Sequence, residues 1–396
     1  MGTTLDNEDS SFGKYRLVQQ LATGGMAQLY LASIDGPDGF SKSCVIKRVL
    51  PEYASLESFS RMFADEAKVA ALLTHPNIVQ VFDFGRVDGQ YYLAMEWIQG
   101  HSLDRLLRQA LRSGRVVGTR VAVDVGLAVA DALAYAHAKT LPDGTPLMLV
   151  HRDVTPGNVL VSRDGIIKLA DFGIVKSAVN AERTVAGVVK GKYPYMSPEQ
   201  ITSQELDHRS DLYSLGIVLY EAATGRRLFK RDTLEATIMA ASQANVPPPS
   251  EGTPDFPAEL ERIILRLLQK APSARYQSAR ELRDDLERFR AAQQWASGTH
   301  EMAALVAELF PPSITGQPPT ALPASSTSHG SNSATGRTPP PSAEPERELS
   351  STSAATRAHG AVEVPLDTSA QGFPWGIALA AGCAALGTAL FWLLAP

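Results

Sequence analysis

The stretch that decides the reading is His151-Arg152-Asp153-Val154-Thr155-Pro156-Gly157-Asn158, followed by the apolar run Val159–Val161, an Asp164-Gly165 turn, a second run Ile166–Leu169, and then Asp171-Phe172-Gly173. Asp-Gly between two short β-prone stretches is a favoured two-residue hairpin turn, so the two runs are expected to pair antiparallel. Pairing them brings Asn158 and Asp171 together at the open end. An amide oxygen and a carboxylate held on a rigid ribbon suit a hard cation such as Mg²⁺, which prefers oxygen ligands and keeps positions for water and phosphate. Asp153 lies one short loop upstream of the same end, where a carboxylate can accept the proton of an attacking hydroxyl or orient it toward a phosphoryl group.

Around this centre, the chain from Tyr15 to Phe289 alternates strands and amphipathic helices without a low-complexity break, which reads as one catalytic unit. Strand-like runs (Tyr15–Leu21, Leu29–Ala32, Cys44–Val49, Val79–Gly85, Tyr91–Trp97) come first, interrupted by one helical run at Phe59–Leu73. Helical periodicity then dominates, over Thr119–Ala138, Leu212–Thr224, Leu234–Ala244, Glu259–Leu268 and Ala279–Arg290. The expectation is an α+β chain with a small β-rich lobe preceding a larger α-helical one. A further stripe, Met302, Leu305, Val306 and Leu309, has helical spacing and ends at Pro311. It is expected to pack on the helical lobe; the alternative is a docking or regulatory segment.

Composition bounds the function. The chain has 396 residues, 44% of them hydrophobic, enough for one large core. A formal charge of −5 argues against nucleic acid as a partner, because no basic excess is present to neutralise a duplex backbone. The two cysteines, Cys44 and Cys383, suggest neither a disulfide framework nor a metal site. Residues 1–13 are polar and acidic and lack the pattern of a secretory signal. The expected catalytic domain covers 14–292 and a helical extension 293–310. Residues 311–372, rich in Pro, Ser and Thr, are too poor in large apolar side chains to repay the entropy of folding and read as a disordered linker. In 373–396, Trp375–Ala395 is an uncharged, nearly all-apolar run of 21 residues. As a helix it spans roughly 31 Å against a hydrocarbon core of about 30 Å. It is expected to be a single-pass anchor in the cell (inner) membrane, with the catalytic unit in the cytoplasm where ATP is found. Only Pro396 follows that run, so no extracytoplasmic sensor domain is expected.

The catalytic stretch resembles the catalytic loop and metal-binding motif of the protein-kinase superfamily, in particular the eukaryotic-like (Hanks-type) serine/threonine kinases of bacteria. The resemblance covers about residues 15–290 and implies a bilobal fold. It implies transfer of the γ-phosphate of ATP, with Mg²⁺ or Mn²⁺ held by Asn158 and Asp171, to Ser/Thr hydroxyls of protein substrates and of other copies of the chain in trans. Val45-Ile46-Lys47 resembles the third-strand motif, with Lys47 on the phosphates, and Glu66 falls where the family places the glutamate that pairs with this lysine. Tyr92–Ile98 resembles the segment between the lobes: Met95 as gatekeeper, the backbones of Glu96 and Ile98 at the adenine edge, Leu29 above the ring and Leu160 below. Ser197-Pro198-Glu199 resembles the end of the activation segment, Asp211 and Arg275 match structural positions, and Arg275 is expected to pair with Glu199. Arg152 before the catalytic aspartate implies regulation by activation-segment phosphorylation, with Thr184 the first candidate acceptor and Ser177 the next.

Two departures stand out. In the glycine-rich loop Leu21-Ala22-Thr23-Gly24-Gly25-Met26-Ala27, alanines 22 and 27 replace the outer glycines, and a Cβ there restricts the backbone and its approach to phosphates. The family usually has lysine two residues after the catalytic aspartate and threonine near the end of the activation segment; here these are Thr155 and Lys192, the types exchanged. Either Lys192 supplies the ammonium that position 155 lacks, or the two substitutions are independent and Lys192 faces solvent. The competing functional readings are a pseudokinase scaffold, motivated by Ala22, Ala27 and Lys192, and a small-molecule phosphotransferase on the same fold.

Overall fold

The computed structural model describes residues 11–54, 56–172 and 192–311, except the side chains of 54, 57–60, 62 and 66. All of these belong to one compact unit, Met1–His329.

The N-terminal lobe is an antiparallel sheet built from β1 (Ser11–Phe12), β2 (Tyr15–Thr23), β3 (Ala27–Asp35), β4 (Ser41–Val49), β5 (Val81–Val87) and β6 (Gln90–Glu96), in the order β1-β2-β3-β4-β6-β5. The register sets Leu29 beside Lys47 and Lys47 beside Leu93, so the lysine is carried on a central strand. On the sheet's outer end, Phe12 and Tyr15 pack edge-on against Tyr92, and the Tyr15 and Tyr92 hydroxyls both donate to Asp83 Oδ2 (2.6 and 3.0 Å). Helix α1 (Pro51–Ala54) leads into α2 (Glu57–Ala71), whose Phe63 meets Phe84 of β5 at 6.2 Å.

The second lobe begins with β7 (Gly100–Ser102), α3 (Leu103–Arg112) and α4 (Thr119–His137), followed by β8 (Val159–Ser162) and β9 (Ile167–Leu169). Beyond them come α5 (Pro198–Ile201), α6 (Arg209–Thr224), α7 (Leu234–Gln243), α8 (Ala258–Leu267), α9 (Ala279–Ala292) and α10 (His300–Leu309). Every residue of α6 from Ser210 to Thr224 is buried, and both α4 and α8 pack on it. Gly126 of α4 makes close packing possible: a methyl there would sit 2.9 Å from Leu286 and 3.1 Å from Leu219. Met302, Val306 and Leu309 of α10 are buried in the same core, so the stripe beyond the catalytic unit packs on the helical lobe.

The β8–β9 hairpin pairs Val159 with Leu169, Leu160 with Lys168 and Val161 with Ile167, and β7 adds a third strand alongside β8. Its turn differs from the two-residue Asp-Gly form expected. Gly165 N–H donates to Ser162 O (3.0 Å), Ser162 N–H to Ile166 O (2.8 Å), and only Gly165 has a left-handed backbone (φ +81°). That is a three-residue loop ending in a left-handed glycine. The glycine is needed twice over, since a methyl there would also run into the Thr299 carbonyl at the start of α10. Leu169 joins the hairpin to the segment before β5: its N–H donates to Asn77 O (2.8 Å) and its carbonyl accepts from Val79 (2.9 Å).

Candidate active site

Asp211, 1% exposed at the start of α6, holds the loop that carries Asp153. Its two carboxylate oxygens accept from the backbone N–H groups of His151 and Arg152, each at 2.8 Å, and His137 Nε2 lies 2.9 Å away. Arg152 is left-handed (φ +64°), a conformation that costs a non-glycine residue about 1–3 kcal/mol. Two charge-assisted hydrogen bonds from adjacent amides to one buried carboxylate offset that strain. His151 is fully buried, accepts from the Asp153 N–H at Nδ1 (3.2 Å) and donates from Nε2 to Ala170 O (3.1 Å), which fixes its tautomer. Its ring lies 4.5 Å from Phe172, so the loop and the Asp171-Phe172 end of the hairpin are locked together.

Asp153 is 6% exposed. Asn158 spends its amide nitrogen on it, donating to Asp153 O (2.8 Å) and Oδ2 (2.7 Å), which turns the Asn158 amide oxygen away from Asp153. Ala170 N–H donates to Asn158 O (2.8 Å), so Asn158 and Asp171 are neighbours at the open end of the hairpin. Asp171 is left-handed (φ +57°), and the Lys47 ammonium sits 2.9 Å from its Oδ1. This oxygen pair fits a divalent cation that takes its other ligands from phosphate and water. Among the described residues there is no cluster of three His, Cys, Asp or Glu side chains with metal-binding geometry.

Leu29, Leu160, Met95 and Ile98 are each half-buried, as apolar residues facing a cleft are, whereas their neighbours Leu31, Val161 and Leu93 are buried in the core. Behind Met95 a small cavity is lined by Leu73, Val81, Leu93, Asp171 and Phe172. The Glu96 N–H donates to Gln80 O (2.9 Å), so this half of its backbone is unavailable to a purine. Its carboxylate accepts from Gln80 N–H and from the Lys168 ammonium, both at 2.7 Å. In the loop between β2 and β3, Gly24 N–H donates to Ala27 O (2.8 Å) and closes the turn; Leu21 and Ala22 lie in β2, and Gly25 is exposed. Neither Ala22 nor Ala27 has a positive φ. The backbone here therefore takes conformations that alanine adopts without strain, and the expected restriction reduces to the bulk of the two methyl groups.

Glu66 lies in α2, but its side chain is outside the described residues, as are Ser177 and Thr184. After that gap Lys192 points into the site, with Nζ 2.9 Å from Asp153 Oδ2, while Thr155 is half-buried in the loop. Ser197 caps α5 reciprocally with Gln200, and Gln200 Nε2 donates to Arg152 O (3.1 Å). Glu199 accepts from Arg275 Nη1 (2.6 Å) and Nη2 (2.8 Å). Burial pushes the Glu199 carboxyl up, but its hydrogen bonds from Arg275 and Ser210 outweigh this and hold it below the usual range.

A buried network beneath the activation segment was not foreseen. Tyr195 OH donates to Glu221 Oε2 (2.8 Å), Arg227 Nη1 lies 2.7 Å from the same oxygen, and Arg227 Nη2 reaches Asp104 at 3.2 Å. Burial pushes Glu221 upward even with Arg227 beside it. The signal in the sequence was Glu221 itself, a lone carboxylate in the otherwise apolar run Ile217–Ala223.

Residues 15–285 match the family described as the protein kinase domain. The chain belongs to the protein kinase family. Its bacterial relatives include the tyrosine-protein kinase MasK of Myxococcus xanthus, 42% identical over 295 residues (74% of this chain, 46% of MasK). The serine/threonine-protein kinase PknA of Mycobacterium tuberculosis is 37% identical over 287 residues (71% of this chain, 62% of PknA). The crystal structure of the Mycobacterium tuberculosis PknI kinase domain superposes with a TM-score of 0.53 at 30% identity, covering 72% of this chain and 99% of that one. The similarity thus lies in the kinase domain, and the chain spans only part of the length of these curated relatives.

Proposed function

We propose that the chain is an ATP-dependent serine/threonine protein kinase. The observation that carries this is the convergence of Asp153, Asn158, Asp171 and Lys47 at one end of the β8–β9 hairpin. The adenine lies between Leu29 and Leu160, past Met95, and Lys47 meets the phosphates. Asp153 orients the acceptor hydroxyl and takes its proton as the hydroxyl oxygen attacks the γ-phosphorus; the bond to the β–γ bridging oxygen breaks and ADP leaves. Asn158 and Asp171 would hold a Mg²⁺ ion, which when bound would neutralise charge on the phosphate oxygens. Protein substrates and other copies of the chain are the acceptors, with Thr184, then Ser177, the sites of autophosphorylation. Residues 311–372 tether the kinase to a membrane anchor at Trp375–Ala395. That run lies outside the described residues, among which no helix is long and apolar enough to cross a membrane.

The acceptor hydroxyl needs a direct test, because the relative at 42% identity is named a tyrosine kinase and the one at 37% a serine/threonine kinase. The purified chain is incubated with γ-labelled ATP and Mg²⁺ alongside Asp153→Asn, and the phosphoamino acids are separated. Label on serine or threonine that vanishes in the variant is the expected result. Label on tyrosine alone overturns the acceptor assignment, and nucleotide binding without transfer to the chain or to generic protein substrates favours the pseudokinase reading.

A further inference from the structure

The ammonium on Asp153 does not come from its own loop. Two positions beyond the carboxylate stands Thr155, which carries no charge; the cation arrives from Lys192, 39 residues after Asp153, at 2.9 Å from Asp153 Oδ2. The carboxylate is 5% exposed and the Lys192 side chain 38%, so the pair is well enough shielded from water for its charge to matter. Lys192 is held by the segment that follows it. Its carbonyl accepts from Tyr195 N–H (3.0 Å), Tyr195 is fixed to Glu221, and Gln200 donates to the Arg152 carbonyl. The segment therefore grips the catalytic loop at two places, through a charge on Asp153 and a neutral hydrogen bond on the residue before it.

We propose that Lys192 is a positioning residue for phosphoryl transfer. Its ammonium, 2.9 Å from Asp153 Oδ2, holds that carboxylate oriented beside Asn158. Because that charge belongs to the activation segment and not to the catalytic loop, the site is electrostatically complete only while residues 192–201 are docked. This rests on the kinase reading above. A kinase whose loop carried the cation itself would keep it whatever its activation segment did; here segment docking and the charge on Asp153 are one event.

The test measures initial rates of phosphate transfer to a generic protein substrate at varied ATP for the full chain and for Lys192→Thr, Lys192→Arg and the exchanged variant Thr155→Lys/Lys192→Thr. Thermal melting shows that each is folded. Lys192→Thr is expected to lower kcat by about tenfold or more, with KM for ATP within about twofold, since the ammonium acts on the carboxylate and not on the nucleotide. Lys192→Arg is expected to keep most of kcat. The exchanged variant is expected to regain several-fold over Lys192→Thr, because a lysine at 155 brings the charge back from the loop. Gln200→Ala then lowers kcat in the wild-type background more than in the exchanged one, where the charge no longer depends on docking. A kcat for folded Lys192→Thr within about twofold of wild type overturns the proposal. So does a loss that appears only in KM, or one that neither Lys192→Arg nor Thr155→Lys relieves, or equal effects of Gln200→Ala in both backgrounds. If the unaltered chain transfers no phosphate, the kinase reading falls and this proposal with it. Transfer by the unaltered chain that Lys192→Thr leaves undiminished overturns this proposal alone.

Discussion

Replacing Arg275 by methionine removes the cation from a site that has no water to substitute for it. The Arg275 side chain is 0% exposed and that of Glu199 is 5%. All five guanidinium N–H groups find acceptors: Nε on Gln269 O, Nη1 on Glu199 and Arg209 O, Nη2 on Glu199 and Lys270 O, at 2.6–3.1 Å. Its planar face lies 4.6 Å from the centre of the Tyr213 ring. Arg275→Met leaves a buried carboxylate with the Ser210 hydroxyl and three carbonyls without their donor. Stripping one partner from a buried pair costs about 3–5 kcal/mol, a large share of the roughly 5–15 kcal/mol that stabilises a domain. Glu199 sets the pH dependence of that loss. Its depressed folded-state pKa gives the wild type a stabilisation that is present above the unfolded carboxyl pKa and lost as the pH falls. In Arg275→Met the Ser210 hydroxyl still opposes burial but the Arg275 hydrogen bonds and charge do not, so Glu199 takes up a proton at higher pH and the penalty shrinks on acidification; the gap between the two proteins is widest near neutrality. Urea denaturation of the chain shortened to residues 1–311, followed by circular dichroism, measures both. Arg275→Met/Glu199→Met is expected to lie between wild type and the single variant, since it removes the orphaned charge but not the three orphaned carbonyls. A double variant no more stable than Arg275→Met, or a single variant within about 1 kcal/mol of wild type, would refute the reasoning.

Two more predictions concern the C-terminal side of the lobe. Burial, aided by Arg105 and Arg163, holds the His101 imidazole at about 4, so the folded protein keeps it neutral where the unfolded chain protonates it. Its stabilisation is complete above about pH 6.5 and declines as the pH falls toward 4, by roughly 3 kcal/mol in all; a His101→Gln protein whose unfolding free energy depends on pH as steeply as wild type's would contradict this. Val306 is 3% exposed on the inner face of α10, and Phe310 at its end lies 3.8 Å from His101. Val306→Asp buries a carboxylate in that apolar contact and is expected to cost about 3 kcal/mol and several degrees of Tm; an unchanged Tm would show that the contact contributes nothing in solution.

The elements that could be read from the sequence are those whose pattern is local. The long strands and helices were located to within a few residues, because alternation and 3.6-residue periodicity are carried by the elements themselves: α4 was expected at Thr119–Ala138 and runs Thr119–His137. Helix α3 goes unread although Leu103, Leu106, Leu107 and Ala110 have helical spacing and Ser102 caps the first turn, because those apolar positions are interleaved with the charged residues Asp104, Arg105, Arg108 and Arg112. Strand β7 has three residues and exists because Gly100 lets its backbone approach Val161 closely, a fact of pairing and not of propensity. The Asp164-Gly165 pair does not separate the two turn types because a left-handed glycine is common to both; the three-residue form carries a further bond, Ile166 N–H to the Ser162 hydroxyl (3.0 Å).

In the site, the sequence revealed residues whose chemistry lies in their type and spacing, such as Asp153, Asn158, Asp171 and Lys47. It could not reveal which of two substitutions at positions 155 and 192 mattered, because that depends on a distance between segments far apart in the chain. Nor could it reveal why Arg152 stands before the aspartate in a left-handed conformation, which is explained by two hydrogen bonds to Asp211. These contacts give the site an order of dependence. Asp211 is buried in α6, the catalytic loop hangs from Asp211, and Asn158 and Lys192 both meet the loop's carboxylate at Asp153 Oδ2. Damage at α6 should therefore disturb everything above it, whereas damage at Lys192 should leave the scaffold standing and remove the ammonium from Asp153. The difference between those two kinds of loss, one in stability and the other in turnover, is what distinguishes a residue that builds this site from one that operates it.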